Sequence, residues 1–489
     1  MPKSCEQLLV GTGAEVFGDG GREVTGLAFR SDKVEPGFAF FCVVGLTADG
    51  HRFAQDAVNR GAALIVAQHE LELEGADEVT VAVVKDTRAG MARVAANYYD
   101  NPSEAFQLIG ITGTNGKTTT TFLVDHIVTA QGKKCGIIGT TGNRVDGVME
   151  TASNTTPESA DLQHLFARMR DAGNDVVAME VSSHALDLRR TWASRYAVTA
   201  FTNLTQDHLD YHHTFEAYFE AKALLSGRDY PAKRVVCIDD AWGEELARRC
   251  REAGDVLLTT GFEPVSDIHP VDVDYAIDKT CVRLSVCGEE FDVSYPLVGR
   301  FNVSNMMTAF GIALSLGIAA CDIVEALRDV DGVPGRLERI SAPGCPDVFV
   351  DYAHTPDAVE KALSSVMALN PAKTIVVFGC GGDRDATKRP LMGRAALAAD
   401  YAIVTSDNPR TEDPNKIIED IVAGMSGEEE RFEVIADRRE AIMRAVELAD
   451  EDCAILVAGK GHEDYQIIGT TKIDFDDRKV VAEALARRA

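Results

Sequence analysis

Between an apolar run at Phe106 to Ile111 and a helical stretch carrying Phe122, Leu123 and Ile127 lies Gly113-Thr114-Asn115-Gly116-Lys117-Thr118. Glycines there let backbone N–H groups converge on phosphate oxygens, and the helix start adds the positive end of its dipole. Lys117 offers a charge to the terminal phosphates, and the Thr118 hydroxyl can coordinate Mg²⁺. Only Thr114 and Asn115 separate Gly113 from Gly116-Lys117, a shorter spacing than the general phosphate loop has. With strand, lysine and threonine in place, ATP binding is a stronger reading than a plain glycine-rich turn.

Glu180 closes the apolar run Val176-Val177-Ala178-Met179. A carboxylate at a strand end beside a phosphate loop suits Mg²⁺, a hard cation that prefers oxygen. The same position also suits a helix cap or a surface acid. Asp207-His208-Leu209-Asp210-Tyr211-His212-His213 is dense in ligand types but lacks the cysteine or paired-histidine spacing of a zinc site. Phe215, Tyr218, Phe219, Lys222 and Leu225 share one face of an expected helix. An ammonium on that apolar stripe is desolvated, which favours the neutral amine. Such an amine can react with CO₂ to give a carbamate, an anionic metal ligand. The residues alone favour a lysine that snorkels to water over this chemistry.

These groups need a scaffold of several units. At 489 residues the chain is too long for one ordinary core, and a domain per roughly 150 residues gives about three. Residues 1–103 alternate strand-like and helix-like segments: Phe38 to Val44 reads as a strand, Phe53 to Gly61 as a helix, Ala62 to Val66 as a strand. Asn101-Pro102-Ser103 marks a boundary, because proline disfavours helix continuation. In residues 104–331, strands are expected at Gly136 to Ile138, Val176 to Met179, Val198 to Phe201 and Val235 to Ile238, with helices between. That is the pattern of a doubly wound parallel sheet. Alternation from Val271 to Val293, turning at Gly288, predicts an antiparallel addition. Residues 332–489 begin near Gly332-Val333-Pro334-Gly335, with strands at Val348 to Val350, Thr374 to Phe378, Ala402 to Thr405 and Ala454 to Val457. Ligands bind beyond the carboxyl ends of such strands, so the polar residues following each are site candidates.

A net charge of −28 argues against a nucleic-acid partner, which would require a basic surface. No window reaches the ~18–20 apolar residues needed to span a bilayer, and the N-terminus has no signal-peptide core. The eleven cysteines are scattered without a Cys-x-x-Cys pair. A reducing cytoplasm is therefore expected.

Taken with Glu180-Val181-Ser182-Ser183-His184 and Asp207-His208, the phosphate loop resembles that of the Mur ligases of peptidoglycan synthesis. Gly299-Arg300-Phe301-Asn302-Val303-Ser304-Asn305 and Asp351-Tyr352-Ala353-His354-Thr355-Pro356 extend the resemblance over nearly the whole chain, in order. Asn154-Thr155-Thr156-Pro157 is similar to the substrate loop of the branch that adds the third peptide residue. Asp407-Asn408-Pro409-Arg410 resembles the signature of its meso-diaminopimelate-adding form, and the lysine-adding forms lack that arginine.

The resemblance implies an α/β protein of three domains: an N-terminal UDP-binding domain, a central phosphate-loop ATPase and a C-terminal Rossmann-like domain. It implies an ADP-forming ligase acting in the cytoplasm as a monomer on UDP-N-acetylmuramoyl-dipeptide, meso-diaminopimelate and ATP. ATP would meet Gly113, Thr114, Asn115, Gly116, Lys117, Thr118, Thr119, Asn302, Arg336 and Asp351. Mg²⁺ would be held through Thr118 and Glu180, with a second site using His208 and Lys222 as N6-carboxylysine; Lys117, Glu180, His208 and Lys222 form the catalytic set. The nucleotide-peptide would lie against Ser31, Leu46, Thr47, Ala48, Asn154, Thr155, Thr156, Ser182 and Arg190. Diaminopimelate would meet Arg384, Asp407, Asn408, Pro409, Arg410, Gly459 and Glu463. Two positions depart from the pattern. Arg30-Ser31-Asp32 exchanges the charges of the usual Asp-Ser-Arg, and Leu188 stands where some members have glutamine. Folylpolyglutamate synthetase shares the ATPase and C-terminal plan but should lack the N-terminal domain. A mechanical phosphate-loop ATPase would turn over nucleotide without peptide or amino acid.

Overall fold

The computed structural model describes residues 2–45, 48–152 and 154–488. Near the N-terminus a five-stranded sheet runs in the order Glu15–Phe17, Thr80–Val83, Leu64–Ala67, Phe38–Phe41, Gly26–Ala28. All neighbours are parallel except the first pair. Helix Thr87–Tyr98 packs Met91, Val94 and Ala95 on one face, and Ala54 and Ala57 of helix Ala54–Asn59 cover the other. The expected strand Phe38 to Val44 stops at Phe41, and Val44 keeps only an isolated bridge to Asp49.

The central sheet has eleven strands. Cys135–Gly139, Val176–Glu180, Gln107–Thr112, Val198–Phe201, Lys233–Cys237 and Leu257–Thr260 lie side by side and parallel. Both faces of such strands are covered, which is why they read as unbroken apolar runs. Gln107–Thr112 sits between Val176–Glu180 and Val198–Phe201. The phosphate loop, Glu180 and the segment leading to His208 therefore leave adjacent strand ends. Ile109, Ile111, Leu123 and Ile127 pack with Met306, Met307 and Phe310 of helix Arg300–Ser315. The antiparallel addition comprises three strands, Ile268–Tyr275, Thr280–Val286 and Glu289–Tyr295. Besides the turn at Gly288 there is a second, closed by the Ala276 N–H on the Lys279 carbonyl at 2.9 Å. A single turn was expected, because alternation continues across that short connection.

A six-stranded sheet follows in the order Glu338–Ile340, Asp347–Asp351, Ala454–Ala458, Thr374–Phe378, Tyr401–Val404, Phe432–Val434. It is parallel except at its first edge. Along Asp347–Asp351, Phe349 faces one core with Leu363 and Met392, while Val348 and Val350 face another with Ile442 and Val481. Hairpin Tyr465–Ile468/Thr471–Asp474 stands apart from this sheet.

Candidate active site

Gly116 caps helix Lys117–Ala130 with φ +87°, and Gly113 has φ +146°. A Cβ at Gly113 would stand 1.9 Å from Thr202 Oγ1, and one at Gly116 2.2 Å from Asn305 Oδ1. Close approach, as well as backbone conformation, demands glycine at both positions. Lys117 Nζ donates to the carbonyls of Gly113 and Thr114 at 2.9 and 2.8 Å. Burial pulls its pKa down, against the charges of Glu180 and Asp207. The Thr118 hydroxyl lies 3.0 Å from both Glu180 oxygens, and Thr119 is buried behind it. Thr140 adds its N–H and hydroxyl to the same carboxylate, at 2.9 and 3.1 Å.

Glu180 is 1% exposed and has no lysine or arginine in ion-pair contact among the described residues. A buried anion held only by neutral donors fits a hard cation. Among the described residues, no group of three or more His, Cys, Asp or Glu side chains could hold a metal. Binding there would therefore draw on the threonine hydroxyl and on ligand oxygens.

Lys222, 2% exposed on helix Phe215–Ala223, donates to the Gly113 carbonyl at 2.7 Å and lies 4.5 Å from the centre of the Tyr218 ring. Burial, reinforced by the charge of Lys117, pushes its pKa well down. Leu225 lies in the turn after that helix and is fully buried. Snorkelling is excluded: the amine points inward. His208, at φ +52°, holds Nε2 3.3 Å from Asp207 Oδ2 with its side chain 46% exposed, and partial desolvation lowers its pKa against the pull of that carboxylate. Its ring meets that of His184 edge-on at 4.8 Å.

A cavity of about 1500 Å³ opens between the central and C-terminal sheets. From the central side Asn154, Thr155, Thr156, Ser182, Arg190 and His208 line it; from the other, His354, Arg384, Asp407, Asn408, Arg410, Gly459 and Glu463. Thr156 Oγ1 ties this wall together, donating to the Glu180 carbonyl at 2.9 Å and accepting the Ser182 N–H at 3.1 Å. On the opposite wall, Asn408 donates to Glu463 at 2.9 Å and accepts from Lys460 at 3.2 Å. Arg410 holds φ +52° and donates to the Gly382 carbonyl at 2.7 Å. Its guanidinium has no carboxylate in ion-pair contact among the described residues. Pro409 presents its carbonyl to Gly382, where a Cβ would come within 1.9 Å.

A second cavity, about 500 Å³, lies on the N-terminal sheet and includes Ser31 and Ala48. Leu46 and Thr47 lie outside the described residues. Arg30 and Asp32 pair with each other at 2.9 Å, across Ser31. Leu188 closes the short helix Ser183–Asp187 and takes no part in either cavity.

Three further expected ATP contacts come from outside the loop. Arg336 reaches from the C-terminal unit to donate to Thr118 Oγ1 at 3.1 Å. Asn302 donates to the Val298 carbonyl and approaches the phosphate loop only through Asn305. Asp351 accepts from the N–H groups of Leu337 and Ala353 at 2.7 and 2.8 Å, and burial raises its pKa. None of the ten expected ATP residues, the phosphate loop included, lines the large cavity; the loop joins it through Glu180 and Thr140. Sequence reasoning missed Thr140 and Lys460, although both follow strand ends and so carried that signal.

Family profiles match along most of the chain: the Mur ligase family catalytic domain over residues 23–99, the Mur ligase middle domain over 111–313, and the glutamate ligase domain over 335–461. A relative from Geobacillus thermodenitrificans, named UDP-N-acetylmuramoyl-L-alanyl-D-glutamate--2,6-diaminopimelate ligase, is 44% identical over 477 residues, 96% of each chain. One of the same name from Gloeobacter violaceus is 44% identical over 489 residues, covering 99% of this chain and 98% of its own. A solved structure described by that name has a TM-score of 0.72 at 32% identity, covering 100% of this chain and 99% of that one. Mycobacterium tuberculosis folylpolyglutamate synthase, complexed with ADP and AMPPCP, shares the fold at 20% identity and TM-score 0.64, over 82% of this chain and 94% of its own. On these matches, the chain belongs to the Mur ligase family.

Proposed function

We infer that the protein joins meso-diaminopimelate to the D-glutamyl γ-carboxylate of UDP-N-acetylmuramoyl-L-alanyl-D-glutamate, cleaving ATP to ADP and phosphate. The observation that carries this reading is one cavity lined by Asn154-Thr155-Thr156 on one wall and Asp407, Asn408 and Arg410 on the other. Thr140 lines the same cavity and bonds Glu180, which links it to Thr118 of the phosphate loop. The relatives named for this reaction match along nearly their whole length.

A carboxylate is a poor acyl donor, since oxide is not expelled. Attack of the γ-carboxylate oxygen on the γ-phosphorus, as the bond to ADP breaks, gives an acyl phosphate. The amine of diaminopimelate then adds to the acyl carbon, loses a proton, and phosphate leaves from the tetrahedral intermediate. Lys117 and the helix start offset the crowding of negative charge during the first step. Mg²⁺, held through Thr118 and Glu180 and at a second position by His208 and carbamylated Lys222, would supply further neutralisation. Arg410 and Arg384 would grip the distal carboxylate of diaminopimelate, and Glu463 with Asp407 would receive ammonium.

The test is phosphate release with the nucleotide-dipeptide and, separately, diaminopimelate, lysine and ornithine. Release with diaminopimelate alone is expected. Equal release with all three, or release without any amino acid, would overturn the reading. No helix among the described residues is long and apolar enough to cross a membrane; our reading of a cytoplasmic reaction is supported by the cysteines, which are free thiols.

A further inference from the structure

Glu158 is shared by two guanidiniums from different domains. Arg190 Nη2 meets Oε1 at 2.9 Å, and Arg88 Nη1 meets Oε2 at 3.3 Å. All three side chains are less than a fifth exposed. Arg190 is fixed further by the Thr156 carbonyl at 3.1 Å and lines the large cavity. Arg88 and Glu158 instead line the small N-terminal cavity with Ser31 and Ala48. The trio therefore stands where the two cavities meet, and it carries two positive charges against one negative.

Arg88 is aimed by its surroundings. It sits in the first turn of helix Thr87–Tyr98, where Asp86 caps its N–H at 2.8 Å. Its Nη2 reaches the Val44 carbonyl at 3.3 Å, at the edge of the small cavity. Asp86 is itself paired with Arg189 at 2.9 Å, so it does not neutralise Arg88. A half-compensated guanidinium at low exposure is an anion site waiting for a second partner.

We propose that Arg88 binds the diphosphate of the nucleotide-linked substrate, with Glu158 holding its guanidinium in place and coupling it to Arg190. This rests on the function inferred above and assigns a residue outside the set expected from sequence. Chain order supports it. With uridine in the small cavity and the D-glutamyl group in the large one, the first charged group to pass the junction is the diphosphate. Two parallel N–H bonds from arginine match a phosphate, which a lysine meets only as a point charge.

Equilibrium titration of the full chain with UDP and with uridine separates this from a purely structural role. The wild-type chain should bind UDP more tightly than uridine. Arg88→Gln should lose at least about tenfold for UDP and leave uridine unchanged, and Arg88→Lys should keep part of the difference. UDP affinity within about twofold of wild type in Arg88→Gln overturns the proposal. So does an equal loss for both ligands, which would mark Arg88 as a support for the Val44 loop. A wild-type chain that binds UDP no better than uridine overturns it as well. Absence of ligation with every amino acid would strike the function instead, and the binding comparison would still decide the role of Arg88.

Discussion

The ammonium of Lys222 and that of Lys117 converge on one acceptor, the Gly113 carbonyl, at 2.7 and 2.9 Å. Two cations on a neutral oxygen repel each other and both pKa values fall, so the pair favours loss of one proton; Lys222, the wholly buried member, is pushed well down. As the neutral amine adds to CO₂ and releases a proton, the repulsion becomes attraction to Lys117. Lys222→Ala should therefore lower ligation by about a hundredfold or more, the scale of losing several kcal/mol of charge stabilisation. Acetate or another short carboxylate should restore part of the activity. Full activity in the unrescued variant would end the carbamate assignment.

Arg410 is the cation that a second carboxylate on the amino acid would need. The Arg410 N–H meets the Ile467 carbonyl at 3.1 Å and its own carbonyl accepts from the Gly469 N–H at 2.7 Å. The backbone is thus pinned while the side chain lines the cavity. Arg410→Ala should reduce kcat/KM for diaminopimelate by roughly a hundredfold, because a buried ionic recognition is lost outright. The smaller rate with lysine should change little or rise. Unchanged kcat/KM for diaminopimelate would refute the role.

How much of this was readable from sequence depended on where each partner lay along the chain. Val176 to Met179 and Thr374 to Phe378 were legible because strands covered on both faces become continuous apolar runs. The edge strands Val148–Glu150 and Glu338–Ile340, and Gly142–Val145 next to an edge, are short and partly exposed, so they left no such run. The phosphate loop is contiguous, and its chemistry could be read directly. Thr140 with Glu180, Arg88 with Glu158 and Lys460 with Asn408 are 40, 70 and 52 residues apart. Only the folded sheets bring those pairs together, so each residue looked ordinary alone.

Gly116 offers a test of the loop that spares the charged groups. Any side chain there must accept φ +87° and displace Asn305 Oδ1, 2.2 Å from the new Cβ. Left-handed backbone alone costs an L-residue about 1–2 kcal/mol. Gly116→Ala should raise KM for ATP by at least about tenfold and lower the melting temperature modestly. KM for diaminopimelate should stay near wild type, since the opposite cavity wall is untouched. Equal rises for both substrates would mean that the loop does not act on ATP in particular.

Arg438 and Asp477 form the one charge pair among the described residues with both side chains wholly hidden from solvent, joined at 2.7 and 2.8 Å. Arg438→Met strands the Asp477 carboxylate in the core, a loss of about 3–5 kcal/mol for a broken buried pair. Replacing both, as Arg438→Met with Asp477→Leu, should recover much of that stability, because the double change removes both desolvated charges. The same arginine donates to the Ala458 carbonyl at 2.9 Å, next to Gly459 on the cavity wall. The double variant should therefore fold yet bind diaminopimelate more weakly, with KM for ATP unchanged. Denaturant titration read alongside the two KM values decides it: a stable single variant, or a double variant with normal diaminopimelate KM, would show that this pair neither secures the C-terminal core nor positions Gly459.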